Sequence, residues 1–103
     1  MAALDGLRIL DLTQYEAGTS CTQALAWLGA DVVKVEPPAN GDPGRGVLRN
    51  SAESDYSHYF IAWNANKRSV ALDLRTERGR NLLIELAPRY DVFVENFGPG
   101  VVE

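Results

Sequence analysis

An α/β fold, with a mainly parallel sheet and flanking helices, is predicted by three observations. Short apolar or β-branched runs alternate with helical patterns in the order strand, helix, strand, loop, strand, helix, strand. Two of the runs, "DVVKV" and "DVFVE", are near-continuous, the pattern of strands covered on both faces. The chain has 103 residues, 46% hydrophobic and 23% charged, which suits one small folded domain and not a disordered chain.

The first strand is "LRILDL" (7–12), an apolar run with turn residues on both sides. In "TSCTQALAWLG" (19–29), Cys21, Leu25 and Leu28 recur at i, i+4, i+7 and predict a helix. Ser20 and Gln23 have the spacing of a capping box at its start, and Gly29 fits its end. "ADVVKVE" (30–36) is the second strand, rich in β-branched residues. The stretch 37–55 is dense in Pro, Gly, Asn and Ser and reads as loop. "YSHYFIAWN" (56–64) fits a short helix or a strand. "RSVALDL" (68–74) is the third strand. Thr76 then caps the helix "ERGRNLLIELAPR", whose apolar face is Leu82, Leu83, Leu86 and Tyr90. Glu85 and Arg89 stand at i, i+4 in the favourable order. "DVFVEN" (91–96) reads as a buried fourth strand. Four strands with so few crossover helices make an incomplete sheet, so the chain reads as cut from a larger domain.

Composition narrows the function. A net charge of −4 disfavours nucleic acid as a partner. One cysteine and one histidine allow neither an internal disulfide nor a Cys/His metal cluster. The N-terminus lacks the pattern of a signal peptide, and no apolar run is long enough to span a membrane. A soluble, cytoplasmic chain without metal is expected.

Right-handed crossovers put every strand's C-terminal end on one edge, where open α/β sheets bind ligands. The candidate residues are those that fall there. Glu16 and Gly18 lie in the first βα turn: Gly18 permits close backbone approach at a helix N-terminus, or simply serves a tight turn. Glu16 faces a bound molecule or complements that helix N-terminus. Glu36 lies 18 residues after Gly18, near the place of a ribose-binding acid, but the dinucleotide and phosphate-loop glycine motifs are absent. Arg75, following the third strand, is a better phosphate candidate than Lys67 or Arg68, which enter at the opposite end. The alternative is a solvated cation. Asn96, Phe97 and Gly98 end the fourth strand, with Phe97 either held outward or folded into the core. Cys21 reads as core and His58 as exposed.

Taken in order, "LDGLRILDLT", "EAGTSCTQALAWLGADVVKVEPP", "GDPGR", "NANKRSVALDLRTERGR" and "DVFVENFGPGVVE" resemble the N-terminal segment of a family III CoA-transferase, the group of formyl-CoA and carnitine CoA-transferases, which also holds α-methylacyl-CoA racemases. The resemblance covers essentially the whole chain, and "TQYEAGT" is closer to the transferases. It implies that residues 1–103 are the N-terminal part of a Rossmann-like CoA-binding domain within an interlocked homodimer. It implies a reaction between an acyl-CoA and a carboxylic acid through an aspartyl-acyl anhydride. The nucleophile falls beyond residue 103 and matches no aspartate here, so this chain by itself is expected to be inactive.

Carried over by position, Ala17 and Gly18 match the turn near the thioester end of CoA. Leu72 and Arg75 match positions near the adenosine phosphate portion, and Asn96, Phe97 and Gly98 the turn lining the CoA channel. Three positions depart from formyl-CoA transferase: Pro37 replaces a basic residue, Thr19 a proline and Glu16 a glutamine. A glutamate at 16 would repel an acidic substrate unless protonated or paired, which argues against oxalate handled in the formyl-CoA transferase manner. A non-catalytic CoA- or nucleotide-binding module, a remnant, and a racemase fragment remain as alternatives.

Overall fold

The computed structural model describes residues 1–49 and 57–103. Its elements are β1 (Arg8–Asp11), α1 (Ala17–Trp27), β2 (Asp31–Glu36), a 3₁₀ turn (Pro43–Gly46), α2 (His58–Asn64), β3 (Arg68–Ala71), α3 (Glu77–Leu86), a second 3₁₀ turn (Ala87–Arg89) and β4 (Val92–Val94). The strands form one sheet in the order β3-β2-β1-β4. Every pairing is parallel, with Leu10 level with Val33 and Phe93, and Val33 level with Arg68. The predicted α/β class and parallel sheet are therefore observed, and the strands all point their C-terminal ends to one edge.

The period of two along each strand divides the core between two faces. Ile9 and Val32 pack with Ala26 and Ala30 on the face covered by α1. Leu10, Leu12 and Val35 pack on the other face with Leu83 and Leu86 of α3, Tyr90 and Phe97. Toward the strand ends the α1 face turns polar, because Asp11, Lys34 and Glu36 occupy its alternate positions and are all buried.

That polar strip explains why α1 differs from expectation. Its buried residues are Thr19, Thr22, Gln23 and Ala26; of the expected stripe Cys21, Leu25, Leu28, only Leu25 packs on the core, half-buried, and Leu28 is exposed. Cys21 is exposed. The helix turns hydroxyls inward to meet charge: Thr22 Oγ1 donates to Asp11 Oδ2 at 2.6 Å. The helix also starts earlier than the capping-box reading, at Ala17 with Glu16 as N-cap. Ser20 lies within it and donates its hydroxyl to Ala17 O. Gly29, at φ +107°, follows the end of α1 as expected.

The ambiguous stretch is helical from His58, started by Ser57, whose side chain accepts from the Phe60 N–H. Residues 50–56, with the end of the predicted loop and Tyr56, lie outside the described residues. His58 is exposed, as expected. Thr76 caps α3 by accepting from the Gly79 N–H at 3.0 Å. The α3 helix ends at Leu86, so Arg89 falls in the following 3₁₀ turn and out of helical register with Glu85. Leu82, expected on the apolar face, is 42% exposed. β4 is an edge strand, paired only with β1 among the described residues, and Val92 and Phe93 are correspondingly exposed rather than buried.

Candidate functional site

At the C-terminal edge of the sheet, on the α3 face, lies a groove of about 820 Å³. Its floor is apolar, built from Leu12 and Val35 of the strand ends, Leu72, Leu83 and Phe97. Its lining also carries Arg75, Arg80 and Asp73, together with the buried Glu36. An open groove with an apolar floor and a few polar groups is the usual form of a ligand site in such folds.

The expected residues fall into two groups. Leu72, Arg75 and Phe97 line the groove. Phe97 is half-buried and packs on the core cluster of Leu10, Leu12 and Val35, so the inward reading applies while its ring still forms groove wall. Arg75 is 86% exposed and bonded through Nε to Asp73 Oδ1 at 3.1 Å. Asp73 holds the guanidinium pKa above its usual range, and Arg75 holds the Asp73 carboxyl below its own. Such an exposed pair is weak and can exchange partners.

Glu16, Ala17 and Gly18 sit apart from the groove wall, at the start of α1. A Cβ on Gly18 would lie 2.2 Å from Thr13 Cγ2, so the glycine is required by close packing of α1 on the end of β1. Asn96 joins the two groups: its Oδ1 accepts from the Gln14 N–H at 2.9 Å and its Nδ2 donates to Gln14 O at 2.8 Å. Gly98 is exposed, with open space where a Cβ would stand.

Beneath this edge lies a buried charged network that the sequence reading passed over. Lys67 Nζ reaches Asp11 Oδ2, Thr19 O and Asn64 Oδ1, each at 3.0 Å, with its side chain 2% exposed. Burial pulls this ammonium below the ordinary lysine range, and the Asp11 carboxylate opposes the shift. Lys34 Nζ donates to Thr13 O at 2.8 Å and pairs with Asp42 Oδ2 at 2.7 Å. Arg45 forks onto both Glu36 oxygens at 2.8 Å and stacks on the Phe60 ring. Burial works against the Glu36 anion, but hydrogen bonds from Arg45, Ser69 and the Asp42 N–H outweigh it and hold the pKa at about 2. One signal was available in the sequence: Lys34 interrupts a run read as apolar, and a charge inside a doubly covered strand demands a partner. Among the described residues, no group of three or more His, Cys, Asp or Glu side chains is arranged to hold a metal ion. No helix among them is long and apolar enough to cross a membrane.

The sequence profile of CoA-transferase family III matches residues 4–103. The chain belongs to that family. Among its relatives, the formyl-CoA:oxalate CoA-transferases of Streptomyces avermitilis and Streptomyces coelicolor are 56% and 55% identical over 101 residues, which is 98% of this chain. The chain spans 24% of the length of each. A crystal structure of a CAIB/BAIF family protein from Brucella suis superposes with a TM-score of 0.84 at 41% identity, over 93% of this chain and 26% of that one. The Mycobacterium tuberculosis protein Rv3272 superposes with a TM-score of 0.87 at 39% identity, over 99% of this chain and 27% of that one. The chain is thus a segment of a family III CoA-transferase sequence, and its parallel sheet is the one these structures contain.

Within that family III segment, Thr19 is no longer an unexplained departure. Its hydroxyl donates to Tyr15 O at 2.5 Å and to Glu16 O at 2.9 Å, closing the first βα turn from the helix side. Pro37 lies on the groove wall, so the contact that a basic residue would make there is not available from this position.

Proposed function

We propose that this chain is the CoA-cradling edge of an enzyme that moves CoA between an acyl-CoA and a carboxylic acid. The observation that carries the reading is the convergence of Leu72, Arg75 and Phe97 on one groove, in a chain of this family. The apolar floor suits the pantetheine arm, and Arg75 and Arg80 suit the phosphates. Arg75 can trade its exposed bond to Asp73 for a phosphate oxygen at little cost. Ala17 and Gly18 at the start of α1 take the thioester end, with Asn96 tying that turn to the groove. Gly98 leaves open space beside the channel.

The chemistry uses a carboxylate nucleophile from the part of the protein after residue 103. That aspartate attacks the thioester carbonyl, the C–S bond breaks, and CoA leaves as thiolate while a mixed anhydride forms. The second acid's carboxylate attacks the aspartyl carbonyl of that anhydride, the first acyl group leaves as its carboxylate, and a new mixed anhydride forms. CoA thiolate then attacks the new acyl carbonyl, giving the product thioester and freeing the aspartate. In this reading the enzyme works in the cytoplasm as an interlocked homodimer, without metal.

The named relatives make formyl-CoA and oxalate the first pair to assay with the full-length enzyme. The expected result is formation of oxalyl-CoA with release of formate, or the equivalent exchange with another acid. An enzyme that moves CoA between no tested acyl-CoA and acid contradicts the reading. Glu16 bears on the acceptor. Its exposed carboxylate stands at the N-cap of α1, so Glu16→Gln is expected to raise kcat/KM for oxalate relative to a monocarboxylate; an unchanged ratio removes Glu16 from the account of specificity.

A further inference from the structure

The first βα turn is fixed to an unusual degree, and the groups that fix it are buried charges. Tyr15 has φ +63°, a left-handed backbone that a bulky non-glycine residue adopts only when its surroundings impose it. The imposing contacts come from four directions. Lys34 Nζ donates to Thr13 O at 2.8 Å. Asn96 brackets both backbone groups of Gln14. Thr19 Oγ1 donates to Tyr15 O at 2.5 Å. Asp42 Oδ1 accepts from the Tyr15 N–H at 3.1 Å and from the Gly44 N–H at 2.8 Å.

Of these contacts, the one through Asp42 has the least obvious purpose. Asp42 is 1% exposed and lies in the loop after β2, 27 residues from Tyr15. Its other oxygen pairs with Lys34 at 2.7 Å, and its own N–H donates to Glu36 Oε1. A buried ion pair gains little stability over an apolar pair of the same volume, so stability is a poor account of why Lys34 and Asp42 stand here. What an apolar pair could not do is present a fixed acceptor to the Tyr15 N–H and a fixed donor to Thr13 O.

We propose that Asp42, itself oriented by Lys34, is a positioning residue for the reaction: it holds Tyr15 in its left-handed conformation, and so aims Glu16 and the start of α1 at the acyl end of the bound thioester. The inference rests on the CoA-transferase reading of this turn. Asp42 touches no reacting atom. It acts through the Tyr15 backbone, so its loss misplaces the acyl group while the far side of the groove, at Leu72, Arg75 and Leu83, keeps its grip on the rest of CoA.

The test compares two double variants of the full-length enzyme. Lys34→Met with Asp42→Asn removes the ion pair but keeps an oxygen acceptor for Tyr15. Lys34→Met with Asp42→Leu removes the acceptor as well. Neither leaves a buried charge unpaired. Both variants lose the Lys34 contacts, so the Asn-bearing enzyme is the reference: the Leu-bearing enzyme is expected to lose about a further tenfold in kcat relative to it, with KM for acyl-CoA within about twofold between the two. Thr19→Val, which releases Tyr15 from the other side with nearly the same volume, gives the same kcat signature and carries the test if the Leu-bearing enzyme does not fold. Equal kcat across the variants, or kcat and KM changing together in step with melting temperature, overturns the inference alone. A wild-type enzyme that transfers no CoA overturns the underlying reading as well.

Discussion

Lys67 illustrates how a single residue can be misjudged from its neighbours in sequence. In "NANKRS" it is one of two cations just before a strand, at the end away from the ligand edge. The fold instead buries it against Asp11, Thr19 O and Asn64, where it joins β1, α1 and α2. Removing it leaves the Asp11 carboxylate buried with only hydroxyl and amide donors. Lys67→Met is expected to cost about 3–5 kcal/mol in urea unfolding of the full-length protein, and Asp11→Asn in the same chain to restore much of it. A loss below about 1 kcal/mol would mean that water or another group takes over the charge. Glu36 gives a pH-dependent counterpart. Its folded pKa of about 2 lies below the ordinary 4.5, so its contribution is complete above pH 4.5 and fades as pH falls toward 2. The melting-temperature gap between wild type and Glu36→Gln should therefore be wide at pH 6 and narrow at pH 2.5. A gap constant across that range would contradict the assignment.

At the scale of elements, the sequence was most legible where a residue acts locally. Thr76 and Gly29 bound their helices as expected because capping and left-handed turns depend on a few adjacent residues. The face of α1 was only partly legible, with Leu25 on the core but Cys21 and Leu28 outside it, because that face depends on what lies beneath, and Asp11 and Lys34 come from β1 and β2. The exposure of β4 was likewise set by its place at the end of the sheet order, not by its apolar composition. Of the residues that line the groove, Arg75 and Phe97 were legible from the strand-end rule and Leu72 from the family resemblance alone, while Asp42 and Lys34 of the buried network were hidden in a loop and a strand. Gly79 tests how α3 is seated. Alanine is normally better than glycine inside a helix by about 1 kcal/mol. Here a Cβ would stand 1.9 Å from Asp73 O, a backbone atom that cannot swing aside. Gly79→Ala is expected to destabilise by about 2 kcal/mol or more and to disturb the Asp73–Arg75 rim. A raised melting temperature would show that α3 can lift without consequence.

At the scale of the whole molecule, the parallel sheet makes a division of labour between its two faces. The α1 face spends its polar residues on an internal network that ties the first βα turn, the loop after β2 and α2 to the strand ends. The α3 face stays apolar and opens into the groove. In the proposed function, one face fixes the turn assigned to the acyl end of the thioester, and the other is the face that would receive the long arm of CoA. The most direct test is hydrogen exchange on the full-length enzyme with and without saturating CoA, for wild type and Arg75→Ala. The account predicts slowed exchange in the segments 72–75 and 96–98, with Arg75→Ala weakening CoA binding by up to about tenfold, the worth of one exposed charge-assisted contact. CoA binding that leaves both segments unprotected and is indifferent to Arg75 would contradict it.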